Sequence, residues 1–343
     1  MKEVYEAELC SPLSGFKPER QPIEYRVDPL TGISCRINIR RSGRVKQAAE
    51  EGRSRRRPRI LSSRKDCPFC PEHIQEKTPC FSSRFIEEKR LRVGSAVLFP
   101  NMYPFSVHHA VAVFSDEHNP RLCDFNPETI RDCIKACMEF LRLANERDAK
   151  VRYGSVNWNY MFPAGASIVH PHLQVIADLR PTQLQEKLLR ESEAYYERHG
   201  SSYWHDLVET EAELGERLIY RDRRMAWLVS YAPQGNNEVL GVSAEASSIL
   251  ELDKDGLEAV SKGIARILKA YYDLGVESFN MAIISGPLDR HLDYYSLNLR
   301  IASRPGIEAY YTSDCGFMEK LHMESIIESK PEELAETLRN YFP

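Results

Sequence analysis

The sequence repeats itself weakly at a constant shift of 128 residues, and this repeat limits the folds that the chain can adopt. The segment Val97 to Phe105 matches the segment Met225 to Pro233, and the helix start expected at Asn126 falls on Lys254. A repeat at that spacing in a chain of 343 residues indicates two copies of one structural unit.

Each copy contains two strand-like runs separated by turns, at 155–162 and 168–177 in the first and at 279–285 and 294–302 in the second. Runs of this kind with one long helix per copy favour antiparallel sheets over alternating βαβ units. We therefore predict an α+β fold whose N-terminal half spans 1–178 and whose C-terminal half spans 179–343.

Helix signals are clearest at three positions. Asn126-Pro127 offers an N-cap residue followed by proline, and the helix is expected to run to about Glu146. Its apolar residues recur at spacings of three and four, which places Cys133 and Cys137 in the core. Two further helices are expected, one after Pro181 and one near Asp253.

Composition narrows the functional class. Lys and Arg number 46 against 50 Asp and Glu, and the formal charge of −4 gives no general attraction to nucleic acid or anionic lipid. The acidic opening stretch and the lack of any run of about 18 apolar residues disfavour secretion and membrane spanning. Nine cysteines, an odd number, favour reduced thiols and metal chemistry over disulfides, so we expect a cytoplasmic protein.

One segment departs from the average. Arg40 to Lys65 carries eleven basic residues in twenty-six, including the cluster Arg53 to Arg59. We expect a loop that is either simply solvated or contacts phosphate groups with some of its arginines. Few aromatic residues interleave the cluster, which disfavours a nucleic-acid-binding function.

The stretch His170-Pro-His172-Leu-Gln174 places three polar residues two apart, so a strand would present them on one face. Because Pro171 cannot donate a ladder hydrogen bond, this strand is expected to be an edge strand or to begin there. In the second copy the matching stretch runs from Asn298 to Ala302 and has no histidine, so the chemistry is expected in the N-terminal half.

Cys67-Pro-Phe-Cys70 offers two thiolates at a spacing that lets one turn present both to a single ion. A redox role is disfavoured because no βαβ pattern surrounds the pair. Tetrahedral zinc needs two further ligands, and the spacing alone does not choose among the candidates His108, His109, His118, His170 and Cys80.

Together with several other motifs, these stretches resemble the galactose-1-phosphate uridylyltransferase branch of the histidine-triad superfamily over most of the chain. The further matching motifs are Asp28-Pro-Leu-Thr-Gly32 with Arg41 and Arg44 beyond it, Phe99-Pro-Asn101, Ser115-Asp-Glu-His118, and the segment from Asn159 to Ser167. The resemblance implies tandem histidine-triad-like repeats, the second degenerate, and a homodimer.

The resemblance also implies roles for individual residues. His172 would be the nucleophile, with Gln174 on the phosphoryl oxygens. The implied zinc ligands are Cys67, Cys70, His118 and His170. The implied substrate-binding residues are Arg41, Arg44, Asn101, Asn159 and Ser167.

The implied reaction is double displacement, in which His172 takes the nucleotidyl group from a nucleotide sugar such as UDP-glucose and passes it to a second sugar 1-phosphate. Two alternatives remain: a phosphorylase or adenylyltransferase acting on an ADP-sugar or a dinucleotide with the same histidine, and a non-catalytic zinc protein that binds nucleotide or RNA. Two departures from the family pattern bear on these. Asn298 and Arg300 replace histidines of a second metal site, and altered residues at 312–319 leave the galactose specificity open.

Overall fold

The computed structural model describes residues 1–43, 63–307 and 313–343. The predicted substrate-binding residue Arg44 and the basic cluster Arg53 to Arg59 lie outside this part of the chain. The strands within it are β1 (Lys2–Cys10), β2 (Pro18–Val27), β3 (Ser34–Ile37), β4 (Leu91–Val93), β5 (Ala96–Pro100), β6 (His108–Val113), β7 (Tyr153–Tyr160), β8 (His172–Asp178), β9 (Leu218–Arg221), β10 (Met225–Val229), β11 (Val239–Ser243), β12 (Ser278–Ile284), β13 (Asn298–Arg304) and β14 (Ser325–Ile327). The α-helices are α1 (Ile74–Lys77), α2 (Pro127–Arg147), α3 (Gln183–His199), α4 (Tyr203–Leu214), α5 (Lys254–Asp273), α6 (Phe317–Leu321) and α7 (Pro331–Arg339).

Ten of these strands form one sheet in the order β4-β5-β6-β8-β7-β12-β13-β11-β10-β9. Neighbouring strands in it are antiparallel. The predicted α+β architecture with antiparallel strands is therefore confirmed. The order is symmetrical about the central β7–β12 pair, so that β8 on one side takes the place that β13 takes on the other.

Helices α2 and α5 cover the back of this sheet. Asn126 caps α2 by accepting a hydrogen bond from the Thr129 amide, and Asp253 caps α5 in the same way through Gly256. Cys133 and Cys137 are fully buried in α2, as predicted. The back face of β8 contributes Leu173 and Val175 to the same core, in the alternation expected of a strand.

The front of the sheet is covered at its two ends and open at its centre. A turn containing Phe69 and Cys70 packs on Val111 and Val113 of β6, and helices α3 and α4 cover strands β10 and β11 at the other end. A cleft of about 470 Å³ lies over the central strands β7, β12 and β13 and is bordered by β14; Asn157, Asn159, Asn280 and Arg304 are among its lining residues. The front centre of the sheet is thus polar and accessible.

A second sheet of order β1-β2-β3-β14 joins segments from near both ends of the chain. Strands β1 and β2 form a long antiparallel hairpin, and β14 pairs parallel to β3. The fully buried Arg26 in β2 donates to Glu24 and to Glu332 in α7, at 2.7 and 2.8 Å. This small sheet therefore links residues of both predicted halves.

None of the helices in the described residues combines the length and the apolar character that a membrane crossing requires.

Candidate active site and metal centre

The polar stretch at the front of the sheet centres on β8. This strand begins at His172, directly after Pro171, and lies between β6 and β7 in the sheet interior. It is therefore not an edge strand, and of the two expectations raised by Pro171 the start of a strand is the correct one. His170 precedes the strand, so the prediction that it shares a strand face with His172 and Gln174 is wrong.

The structure brings Cys67, Cys70, His118 and His170 together, with ligand atoms that all lie within 4.8 Å of one another. Cys70 Sγ is 3.4 Å from His118 Nδ1 and 3.6 Å from His170 Nδ1. All four side chains are buried. Within the described part of the chain, the other candidate ligands His108, His109 and Cys80 do not join this cluster.

The chemistry of the four donors fits a metal ion. The Nε2 atom of His170 donates a hydrogen bond to the Ser115 carbonyl oxygen at 2.7 Å, which leaves the lone pair of Nδ1 facing the sulfur atoms. Burial, together with the nearby Cys67, raises the pKa of the Cys70 thiol to about 12 and outweighs the opposite effect of Arg64. A divalent cation supplies the positive charge that stabilises a thiolate, so this Cys2His2 cluster has the composition and closeness of a zinc-type site.

His172 is held in one tautomer by the neighbouring backbone. Its Nδ1 lies 2.9 Å from the His170 carbonyl oxygen, and since a carbonyl can only accept, Nδ1 carries the proton. Nε2 therefore bears a lone pair. Burial lowers the pKa of His172, which outweighs the opposite effect of this hydrogen bond and favours the neutral ring.

The ring of Phe69, from the cysteine-containing turn, packs edge-on against His172 at 5.1 Å between centroids. The metal cluster and the candidate nucleophile are thus connected twice, through the His170 backbone and through Phe69. Both connections restrict the orientation of the imidazole.

Amide side chains line the front of the sheet next to Gln174. Asn157 in β7 is directly opposite Gln174, and Asn159 is directly opposite Asn280 in β12. Asn280 donates to the side-chain oxygen of Asn159 at 2.7 Å and accepts from Arg304 at 2.6 Å. The predicted site residue Asn159 is thereby tied to the C-terminal half of the sheet.

His109 is the functional candidate whose place the sequence reasoning missed. Its Nε2 lies 3.1 Å from Gln174 Oε1 and 3.2 Å from the amide nitrogen of Asn101. The sequence marks it only as one of several possible zinc ligands. Successive residues of a strand point to opposite faces, so the alternation along β6 would have distinguished His109, on the front face, from His108, on the back face.

The two remaining predicted substrate-binding residues, Ser167 and Arg41, lie at the surface of the protein. Ser167 is exposed in the bend that precedes His170, and Arg41 is exposed on the turn Ile39–Gly43 after β3. Their contacts with a substrate stay predictions.

The positions in β13 that match the histidine stretch have other partners. Asn298 donates to the Tyr295 hydroxyl at 2.9 Å, and Arg300 donates to Glu238 at the same distance. Both side chains therefore take part in the hydrogen bonding of the C-terminal half.

Comparisons with known proteins agree with this architecture. No protein-family model matches the sequence. An uncharacterized protein of Archaeoglobus fulgidus is 30% identical over 334 residues, which is 97% of each chain. Among solved structures, an ADP-glucose phosphorylase from Arabidopsis thaliana with bound ADP-glucose matches with a TM-score of 0.72 and 19% identity, over 92% of this chain and 98% of the other. A uridylyltransferase matches with a TM-score of 0.67 and 21% identity, again over 92% of this chain and 98% of the other.

The chain therefore has the same fold as these two proteins, which agrees with the resemblance found in the sequence. By its sequence, the chain belongs to the same protein family as the Archaeoglobus fulgidus protein.

Proposed function

We propose that the protein is a nucleotidyltransferase that works by double displacement through a covalent nucleotidyl-histidine at His172. The donor is a nucleotide sugar and the acceptor a second sugar 1-phosphate. The observation that carries this proposal is the hydrogen bond between His172 Nδ1 and the His170 carbonyl, which fixes Nε2 as the atom with a lone pair.

In the first step, Nε2 of His172 attacks the α-phosphorus of the nucleotide sugar. The Nε2–P bond forms, and the bond from that phosphorus to the bridging oxygen breaks, so the sugar 1-phosphate leaves with the electron pair. In the second step, a phosphate oxygen of another sugar 1-phosphate attacks the same phosphorus and releases the neutral imidazole.

Neither step needs a general acid, because the leaving and attacking groups are phosphates whose second pKa of about 6 keeps them largely ionised at pH 7. Catalysis then depends on positioning and on stabilising the charge of the phosphoryl oxygens. The amides of Gln174 and Asn159 are the side chains that we assign to this task. A glutamine at position 174 cannot relay a proton, which favours transfer over hydrolysis.

We assign a zinc ion to Cys67, Cys70, His118 and His170. When bound, it supplies a rigid link among the cysteine turn, the segment after β6 and the start of β8. The chain's own residues then act on the reacting group. His170 presents its carbonyl to the Nδ1 proton of His172, and Phe69 restrains the ring.

The broader proposal includes the organisation of the chain. Halves 1–178 and 179–343 are taken as tandem histidine-triad-like copies, supported by the symmetrical strand order and by the matching places of β8 and β13. A homodimer, by analogy with the family that the sequence resembles, and a cytoplasmic location, inferred from the odd number of cysteines, complete the proposal.

For the nucleotide, we propose a UDP-hexose first, which would place the protein in galactose metabolism, and an ADP-sugar second. The second candidate is supported by the match to an ADP-glucose phosphorylase with bound ADP-glucose over 92% of this chain.

The test is to incubate the protein with UDP-glucose or ADP-glucose labelled in the nucleotide, and to measure acid-labile radioactivity on the protein. Uridine label supports the first candidate and adenosine label the second. Release of glucose 1-phosphate in equal amount is expected in either case. Wild-type protein that acquires no label from either donor would contradict both candidates.

A further inference from the structure

We propose that His109 is a positioning residue that orients the Gln174 amide, so that its NH2 group is the end offered to the phosphoryl oxygens. This inference rests on the proposed function, because it concerns how the same site stabilises the reacting group. It assigns a role to a histidine that the reaction itself does not use.

The sheet register brings the two side chains together. Val111 of β6 is directly opposite Gln174 of β8, and His109 lies two residues from Val111, on the same face of β6. His109 is 5% exposed, and its Nε2 is 3.1 Å from Gln174 Oε1. A long side chain reaches a diagonal neighbour of this kind across an antiparallel pair.

The backbone sets the tautomer of His109. The amide of Phe105 donates to His109 Nδ1 at 3.5 Å, so Nδ1 is an acceptor and Nε2 carries the proton of the neutral ring. Burial lowers the pKa of His109, which keeps the ring neutral near pH 7. The ring of Phe105 also covers the imidazole, with centroids 4.3 Å apart.

Two polar atoms lie close to Nε2: the side-chain nitrogen of Asn101 at 3.2 Å, which is itself a donor, and Gln174 Oε1 at 3.1 Å. With Nδ1 accepting from the Phe105 amide, the Nε2 proton therefore has Gln174 Oε1 as its acceptor. An amide whose oxygen is bound in this way has its orientation fixed, and only the NH2 end remains to meet an anionic group. The reverse orientation would turn the carbonyl oxygen toward the negatively charged phosphoryl oxygens, and this would raise the energy of the transition state.

The strand also supplies a matched control. His108 precedes His109 but points to the other face of β6, where it stacks on Phe85 with centroids 4.8 Å apart. Replacing either histidine by leucine removes one imidazole from the same strand, yet only His109→Leu removes the donor to Gln174.

The experiment measures the rate at which nucleotidyl-His172 forms at saturating nucleotide sugar, together with the affinity for that donor. His109→Leu is expected to lower the rate roughly 10- to 100-fold, with a smaller change in affinity. His109→Gln, which presents an NH2 group at a similar reach, is expected to restore most of the rate. His108→Leu is expected to label at the wild-type rate.

A double-mutant cycle with Gln174→Ala separates positioning from a general structural effect. If His109 acts through Gln174, His109→Leu causes little further loss in the Gln174→Ala background. Equal losses in both backgrounds, or a His109→Leu protein that labels at the wild-type rate, would overturn the inference. Failure of the wild-type protein to form any adduct would instead contradict the proposed function.

Discussion

Removing one ligand of the Cys2His2 cluster tests the metal centre, and His118→Ala is the most informative change. His118 takes no part in the hydrogen bond between the His170 carbonyl and His172, so its loss weakens the metal site without breaking the contact that orients the proposed nucleophile. Four donors whose atoms lie within 4.8 Å share the binding free energy. Structural zinc sites are worth about 10–16 kcal/mol, so one ligand contributes about 3–4 kcal/mol, or roughly 10²- to 10³-fold in Kd.

That loss also lowers the stability of the folded chain when free zinc is held constant. An unfolding entropy of about 2.1 cal/mol/K per residue gives about 0.7 kcal/mol/K for 343 residues. The melting temperature of His118→Ala is therefore expected to fall by about 4–6 °C.

The assay combines metal analysis of the purified protein with thermal unfolding at a buffered zinc concentration. His73→Ala is the matched control, because His73 is a half-buried histidine beside the cysteine pair, and its Nε2 donates to the Lys65 carbonyl rather than facing the cluster. We expect one zinc per chain in wild-type and His73→Ala protein and a loss of zinc in His118→Ala. Wild-type protein that binds no zinc, or His118→Ala with unchanged affinity, would refute the assignment.

Two further predictions concern catalysis and pH. Gln174→Ala is expected to lower the rate of nucleotidyl-His172 formation by an amount equivalent to about 1–4 kcal/mol, measured by rapid quench; an unchanged rate would contradict its role. Burial raises the pKa of Glu332, but hydrogen bonds from Arg26 outweigh this effect and lower it to about 2. Because the folded pKa lies below the unfolded value of 4.5, the ionised carboxylate stabilises the fold above about pH 5, by about 3 kcal/mol, and this contribution is lost as the pH falls toward 2. Denaturant unfolding of Glu332→Gln should lack this pH dependence, whereas the exposed Glu333→Gln should keep it.

Much of the fold could be predicted from the sequence because its signals are local. The cap at Asn126 and the apolar spacing of α2 lie within one segment, and the helix begins one residue after the predicted cap. The four metal ligands could also be predicted, since the Cys-x-x-Cys spacing and the family motifs indicate the four side chains that the structure brings together.

What the sequence missed depends on pairing between distant segments. Gln174 and His109 are 65 residues apart, and only the β6–β8 register shows that they meet. Likewise, β14 pairs with β3 from near the other end of the chain, and no local pattern indicates that sheet. The interior place of β8 was missed for the same reason, because Pro171 marks where the strand begins but not which strands flank it.

The measurement that tests the central claim most directly is peptide mass spectrometry of the protein after incubation with a nucleotide sugar, quenched at alkaline pH to preserve a phosphoramidate. We predict a nucleoside monophosphate on His172, formed with release of sugar 1-phosphate and absent from His172→Ala. An adduct on another residue, or turnover by the His172→Ala protein at the wild-type rate, would contradict the account.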